Sequence, residues 1–146
     1  MTMRIAVADT EPLLEACYPV MAELRPQISR PEFLPLVGRL AAINNFKIAF
    51  LEDDGIKAVA GYRVSEWLAG GRYLEIEDFV TASAARSKGY GGALFDWLVA
   101  AAARAGCRQV RLVSNLRRVD AHRFYLRKGM NQEAHYFSIN VAGPSA

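Results

Sequence analysis

Tyr73-Leu74-Glu75-Ile76-Glu77-Asp78-Phe79-Val80-Thr81, running straight into Ala82-Ser83-Ala84-Ala85-Arg86-Ser87-Lys88-Gly89-Tyr90-Gly91-Gly92, is the stretch that decides the fold. The first half reads as a strand. Strict alternation puts Leu74, Ile76, Asp78 and Val80 on one face and Tyr73, Glu75, Glu77 and Phe79 on the other. The second half is a small-residue, basic loop opening a helix from about Gly91 to Ala105, with Leu94, Leu98, Ala101 and Ala105 as its apolar stripe and Gly106 as its stop. A glycine-rich turn between strand and helix is a device for holding phosphate: without Cβ atoms the backbone N–H groups approach oxygen closely, and the helix dipole lies behind them. No Gly-Lys-Ser/Thr ends this loop, and its glycines lack the spacing of a dinucleotide fingerprint. What remains is Arg-x-x-Gly-x-Gly-Gly flanked by Lys88, which suits a pyrophosphate.

Working towards the amino terminus, Ala69-Gly70-Gly71 marks a turn, and Lys47 to Leu51 and Ile56 to Trp67 are strand-like runs around Glu52-Asp53-Asp54-Gly55. The Asp-Gly pair suits a tight hairpin turn. Ahead of it, Ser29-Arg30-Pro31-Glu32 has capping-box spacing for a helix to about Ala42, and Asp9-Thr10-Glu11-Pro12 starts a helix to about Leu24 that Arg25-Pro26 interrupts. Met3 to Val7 is a short first strand. Towards the carboxyl terminus come a strand at Gln109 to Ser114, a helix at Val119 to Lys128 stopped by Gly129, and a last strand at Tyr136 to Val141 before a short tail. The order is β-α-α-β-β-β-α-β-α-β, an α/β fold in a single domain spanning residues 1–146.

With 146 residues, 52% of them hydrophobic and 23% charged, the composition is that of one globular domain and excludes a disordered or collagen-like chain. No apolar run approaches the ~18 residues of a membrane span, and no signal peptide opens the sequence, so a cytoplasmic protein is expected. Cys17 and Cys107 are far apart and lack zinc-ligand spacing; both read as small core residues, and no metal is expected. His122 and His135 lack metal-ligand partners, Trp67 and Trp97 read as packing, and Arg104, Arg108 and Arg111 as a solvated face. The net charge of +3 hides a split: residues 1–85 hold 8 Lys+Arg against 12 Asp+Glu, whereas residues 86–146 hold 10 against 3. An acidic half beside a basic half suits one cationic and one polyanionic ligand.

Arg86-Ser87-Lys88-Gly89-Tyr90-Gly91, after a strand and before a long helix, resembles the acetyl-CoA signature of the GNAT family of N-acetyltransferases. About 35 residues further on, Ala121-His122-Arg123-Phe124-Tyr125-Leu126-Arg127-Lys128-Gly129-Met130 resembles that family's Ala-x-x-x-Tyr-x-x-x-Gly-Phe segment, with Met130 in place of Phe. The resemblance covers nearly the whole chain and implies a mixed sheet whose fourth and fifth strands, Tyr73 to Thr81 and Gln109 to Ser114, splay apart. Acetyl-CoA would be the co-substrate. Its pantetheine arm would lie along Phe79, Val80 and Thr81, with Asn115, Arg118 and Phe124 also towards the cofactor; Arg118 stands where many members carry an Asn. The pyrophosphate would rest on the amides of Arg86, Ser87, Lys88, Gly89, Tyr90, Gly91 and Gly92, and the 3′-phosphate would meet Lys88 or Arg127. Tyr125 matches the family's general acid. The resemblance is also compatible with a homodimer.

For the chemistry, an amine must shed a proton to attack a thioester, so a base is required. Glu75 and Glu77 share a strand face and are the best candidates, with Glu77 preferred; Asp78 ranks below them because alternation turns it under the helix unless a bulge intervenes. The expected activity is acetyl transfer to a primary, cationic amine by direct attack in a ternary complex, with no cysteine nucleophile. Two rivals remain open: a non-catalytic CoA-binding module of the same fold, which a turnover assay would separate, and a nucleic-acid binder. Against the latter, the sequence has no aromatic-interleaved basic sheet or recognition helix. No membrane partner is expected.

Overall fold

Local signals place most of the elements in residues 3–143, the part of the chain that the computed structural model describes. Thr10 caps the first helix by accepting from the Leu13 N–H at 3.3 Å. At the second helix, Glu32 reaches back to accept both the Ser29 backbone N–H, at 3.0 Å, and its hydroxyl, at 2.6 Å. The Asp-Gly turn forms as its composition requires, with Asp54 at φ 57° and Gly55 at φ 96°.

The described chain divides between Leu112 and Val113 into two compact units. The first holds β1 (Arg4–Val7), α1 (Glu11–Leu24), α2 (Arg30–Asn44), β2 (Lys47–Glu52), β3 (Ile56–Trp67), β4 (Gly71–Thr81), a 3-10 turn (Ser83–Ala85), α3 (Tyr90–Arg104) and β5 (Gln109–Leu112). The second holds α4 (Val119–Arg127). The sheet runs β1-β2-β3-β4-β5; its first three pairings are antiparallel, and β4–β5 is parallel. A parallel pair needs a crossover, and α3 supplies it.

The sheet is covered on both faces. Phe50 and Val59, partners across β2 and β3, pack with Cys17, Val20, Met21, Phe33 and Val37 of α1 and α2, and Val80 joins them. On the opposite face the Tyr62 ring meets Trp97 of α3, and Phe79 meets Phe95. Leu94 and Leu98 of α3 are fully buried.

Two expectations are corrected. Strict alternation along β4 fails at Glu77, because Ile76 pairs with Tyr62 and Asp78 with Gly61, leaving Glu77 as an extra residue in a bulge. Cross-strand partners share a face, so Asp78 and Val80 turn to the α1 side with Tyr73 and Glu75, while Leu74, Ile76 and Phe79 face α3. The second correction concerns the tenth element: Tyr136–Val141 is not a strand. Its alternation is real, but a strand also needs a ladder partner, and no described segment pairs with it; Tyr136, Phe137, Ile139 and Val141 all stand exposed. The first nine elements follow the expected order.

Candidate active site

Three consecutive-facing carboxylates line the α1 side of β4, and each is met by an arginine from a different element. Glu75, 8% exposed, accepts from Arg111 Nε of β5 at 2.5 Å. Glu77 accepts from Arg63 Nε of β3 at 3.3 Å. Asp78 accepts from Arg25 Nε, just past the end of α1, at 2.8 Å, and the same guanidinium donates to the Glu77 carbonyl at 3.0 Å. Arg25 therefore grips the bulge through both a side chain and a backbone oxygen.

The three differ in exposure. Glu75 is sealed, because Arg111 also lies over the rings of Tyr73, at 3.7 Å, and Trp67, at 4.2 Å. Arg111 is thus part of this cluster and not a solvated surface cation. Glu77 is exposed, on the bulge itself. Asp78 is partly buried beside Gly61, where an added Cβ would come within 2.3 Å of its carboxylate and 2.5 Å of the Phe46 ring. Burial pushes the Asp78 carboxyl up, against the pull of the Arg25 charge, and the neighbouring Glu77 pushes the same way.

Past Ile76, β4 leaves β5: the parallel ladder ends at the pair Ile76–Leu112, yet β4 continues through Thr81. Phe79, Val80 and Thr81 lie on this diverging part. The strand then enters the glycine loop. Ser87 at φ 64° and Gly89 at φ 85° both take left-handed backbone, which bends the chain sharply just ahead of α3. Gly89 caps α3 and has no side chain to bind the helix's first N–H groups, those of Tyr90, Gly91 and Gly92. Arg86, Ser87 and Lys88 stand exposed in the loop. The loop thus brings together two exposed cations, Arg86 and Lys88, and a helix N-terminus that no side chain caps.

In the second unit, Tyr125 is buried on α4 with its ring 5.7 Å from Phe124. Burial pushes its phenol up, while a hydrogen bond and the charge of Arg118 pull it down; the net direction is up, so the hydroxyl keeps its proton at neutral pH. Arg118 therefore acts on Tyr125 from the N-terminal boundary of α4, where its side chain makes no capping hydrogen bond. Asn115, on the surface, accepts through its backbone oxygen from the Arg118 N–H at 3.0 Å. Arg127 is exposed at the end of the helix.

Sequence reasoning missed the three arginine partners and Gly61. A glycine inside a strand signals a bulge or a close approach, and here it marks both. Cys17 is fully buried, and its thiol is pushed up to about 12, mainly by burial and then by Glu52, so it stays protonated and unreactive. Cys107 is only half-buried. Among the described residues no cluster of His, Cys, Asp and Glu could hold a metal, and no helix is long and apolar enough to cross a membrane.

The acetyltransferase (GNAT) family model matches residues 8–130. The chain is 36% identical over 122 residues to an uncharacterized N-acetyltransferase, YhdJ, of Bacillus subtilis (strain 168), covering 82% of this chain and 86% of that one. It is 38% identical over 64 residues to the aminoalkylphosphonate N-acetyltransferase of Salmonella typhimurium, covering 44% of this chain and 42% of that protein. Among solved structures, the aminoglycoside N-acetyltransferase AAC(6')-Iy in complex with CoA superposes with a TM-score of 0.83 at 13% identity, covering 96% of this chain and 95% of that one.

Proposed function

Because the chain belongs to the GNAT family of acetyltransferases, we propose that it moves the acetyl group of acetyl-CoA to a primary amine by direct attack in a ternary complex. The family match runs from residue 8 to residue 130, so residues 1–146 are read as one acetyltransferase domain. The observation that carries the reading is the combination on one strand: β4 bears an exposed carboxylate at its bulge and, a few residues later, delivers the chain into a basic, glycine-rich loop with left-handed backbone at Ser87 and Gly89.

The loop from Arg86 to Gly92 holds the diphosphate, with Lys88 or Arg127 for the 3′-phosphate. The open edge of Phe79 to Thr81 takes the pantetheine arm as a neighbouring strand would be taken, with Asn115, Arg118 and Phe124 assigned to the cofactor as well. Acetyl-CoA supplies an activated acyl group, a thioester. Glu77 accepts the proton that the amine loses as its nitrogen bonds to the acetyl carbon. Tyr125 gives the departing sulfur its proton. Glu75, locked by Arg111, fixes the face on which the acceptor's ammonium is received. A cationic amine suits the acidic character of residues 1–85. A cytoplasmic location fits a reaction that draws on acetyl-CoA.

Asp78 is the alternative base, favoured by one observation: burial raises its affinity for a proton, and a base works best when its pKa approaches the working pH. The experiment is release of free thiol from acetyl-CoA across a panel of amine acceptors, with wild type and Tyr125→Phe. Turnover with one amine class, reduced in Tyr125→Phe more than acetyl-CoA binding is weakened, supports the reading. CoA binding without turnover on any amine identifies a non-catalytic module instead.

A further inference from the structure

The glycine loop is tethered where it becomes a helix. Tyr90, the first residue of α3, donates its hydroxyl to Asp53 Oδ2 at 2.8 Å, across 37 positions of sequence. Asp53 sits in the β2–β3 hairpin turn and is itself held, its N–H donating to the Gly55 carbonyl at 2.9 Å. The other end of the loop is also tied: the Ala82 N–H donates to the Lys57 carbonyl at 2.8 Å, and the Ser83 N–H to Glu23 Oε1 at 2.9 Å. Between these ties lie the two left-handed residues, Ser87 and Gly89.

Two features make the Tyr90 tie more than surface decoration. Hairpin turn and loop are separated by an open cleft of about 290 Å³, lined by Asp53, Lys57, Lys88 and Tyr90 among others, so little packing there could replace the bond. Asp53 also has the wrong charge for its place, since a carboxylate beside a phosphate site repels the ligand. A group that opposes binding electrostatically yet accepts a bond from the loop's own helix is explained by geometry. The bond also holds the Tyr90 proton more firmly, which keeps the phenol a donor.

We propose that Asp53 is a positioning residue for the cofactor's diphosphate: through Tyr90 it fixes the first turn of α3, and with it the N–H groups of Tyr90, Gly91 and Gly92, before the ligand arrives. This rests on the reading of the loop as the diphosphate seat. An untethered loop spends part of its binding energy on being ordered, so the tie appears as affinity for the phosphate end of the donor and not as rate.

The test compares wild type with Tyr90→Phe, Asp53→Ala, Asp53→Asn and the double variant Asp53→Ala/Tyr90→Phe. CoA binding is measured by calorimetry, and steady-state kinetics are measured with acetyl-CoA and with acetyl-pantetheine, which lacks the diphosphate. Tyr90→Phe should weaken CoA binding and raise KM for acetyl-CoA about threefold to tenfold, the size of one lost hydrogen bond. KM for acetyl-pantetheine should not move. Asp53→Ala should fall between wild type and Tyr90→Phe, because it also removes the repelling charge. Asp53→Asn, which keeps an acceptor and loses the charge, should bind CoA at least as tightly as wild type. The double variant should bind no more weakly than Tyr90→Phe. Wild type that binds CoA while Tyr90→Phe binds equally well overturns the positioning role alone, as does an equal rise in KM for acetyl-pantetheine. Wild type that does not bind CoA overturns the reading of the loop itself.

Discussion

The two ends of β4 treat charge in opposite ways. At its middle, Glu75, Glu77 and Asp78 are each answered by an arginine, so the strand presents three acids whose charge is already balanced. Beyond Thr81, the loop carries Arg86 and Lys88 exposed, with two left-handed residues and a glycine where a capping side chain would otherwise sit. The first region is built to hold carboxylates in fixed places, and the second to receive charge from outside. A fixed carboxylate can exchange a proton without moving, whereas a polyanion is captured most tightly where the protein has left its own groups unanswered.

The largest effect that would break this contrast lies in the middle of the strand. Glu77→Gln keeps size and hydrogen bonding but removes the proton acceptor, and turnover should fall about 100-fold to 10,000-fold. The loss should be deepest at low pH, where little neutral amine exists, and shrink as pH rises. A pH–rate profile superimposable on wild type removes Glu77 and transfers the role to Asp78, for which Asp78→Asn should then give the deficit.

Next in size is the space that lets Asp78 enter its place. A Cβ at Gly61 meets both the Asp78 carboxylate and the Phe46 ring, so Gly61→Val should destabilise the fold by about 1–3 kcal/mol, as overpacking does. Denaturant midpoints measure it. Unchanged stability would mean that the bulge can slide along β4.

A smaller effect is expected in the loop. An added Cβ at Gly89 meets no protein atom, but a β-branched residue at φ 85° is strained by about 1–2 kcal/mol. The loop escapes that strain by abandoning the conformation that aims its amides. Gly89→Val should therefore weaken CoA binding about tenfold and leave thermal stability almost unchanged, and calorimetry with a melting curve separates the two.

The smallest effect is a slope. Because burial raises the Asp78 pKa in the folded protein above its unfolded value, the native state binds that proton more readily than the unfolded chain does. The contribution is present below the ordinary carboxylate range and is lost as pH rises through the raised value. Asp78→Asn should flatten the decline in stability over that window, as read from melting temperatures at stepped pH. An unaltered slope would place the carboxylate in water.

Much of this was legible in the sequence because the signals were local. Thr10 with Pro12, Ser29 with Glu32, Asp54-Gly55 and the glycine loop each specify backbone conformation within a few residues, and helices and turns appeared where those residues stand. The facing of β4 was not legible from β4 alone. Glu-Ile-Glu-Asp alternates as well with a bulge as without one, and what decides the matter is Gly61 on the neighbouring strand. Likewise no pattern within residues 73–81 announces that Arg25, Arg63 and Arg111 converge there from three elements. Tyr136–Val141 has the alternation of a strand, yet hydrogen-bond partners are a property of the whole sheet and cannot be read from one segment.

The crossover through α3 also has a consequence for the order of assembly. β2, β3 and β4 are joined by short turns, so their pairing asks little loop-closure entropy, whereas β5 pairs with β4 only after the loop and all of α3 have been brought back. Hydrogen exchange should then find the β5 amides opening before those at the centre of β3. The gap in which the cofactor's arm is proposed to lie would thus be bounded on one side by the sheet's earliest strand pairing and on the other by its latest. A ligand bound across that gap would tighten the late side, so CoA should slow exchange in β5 more than in β3.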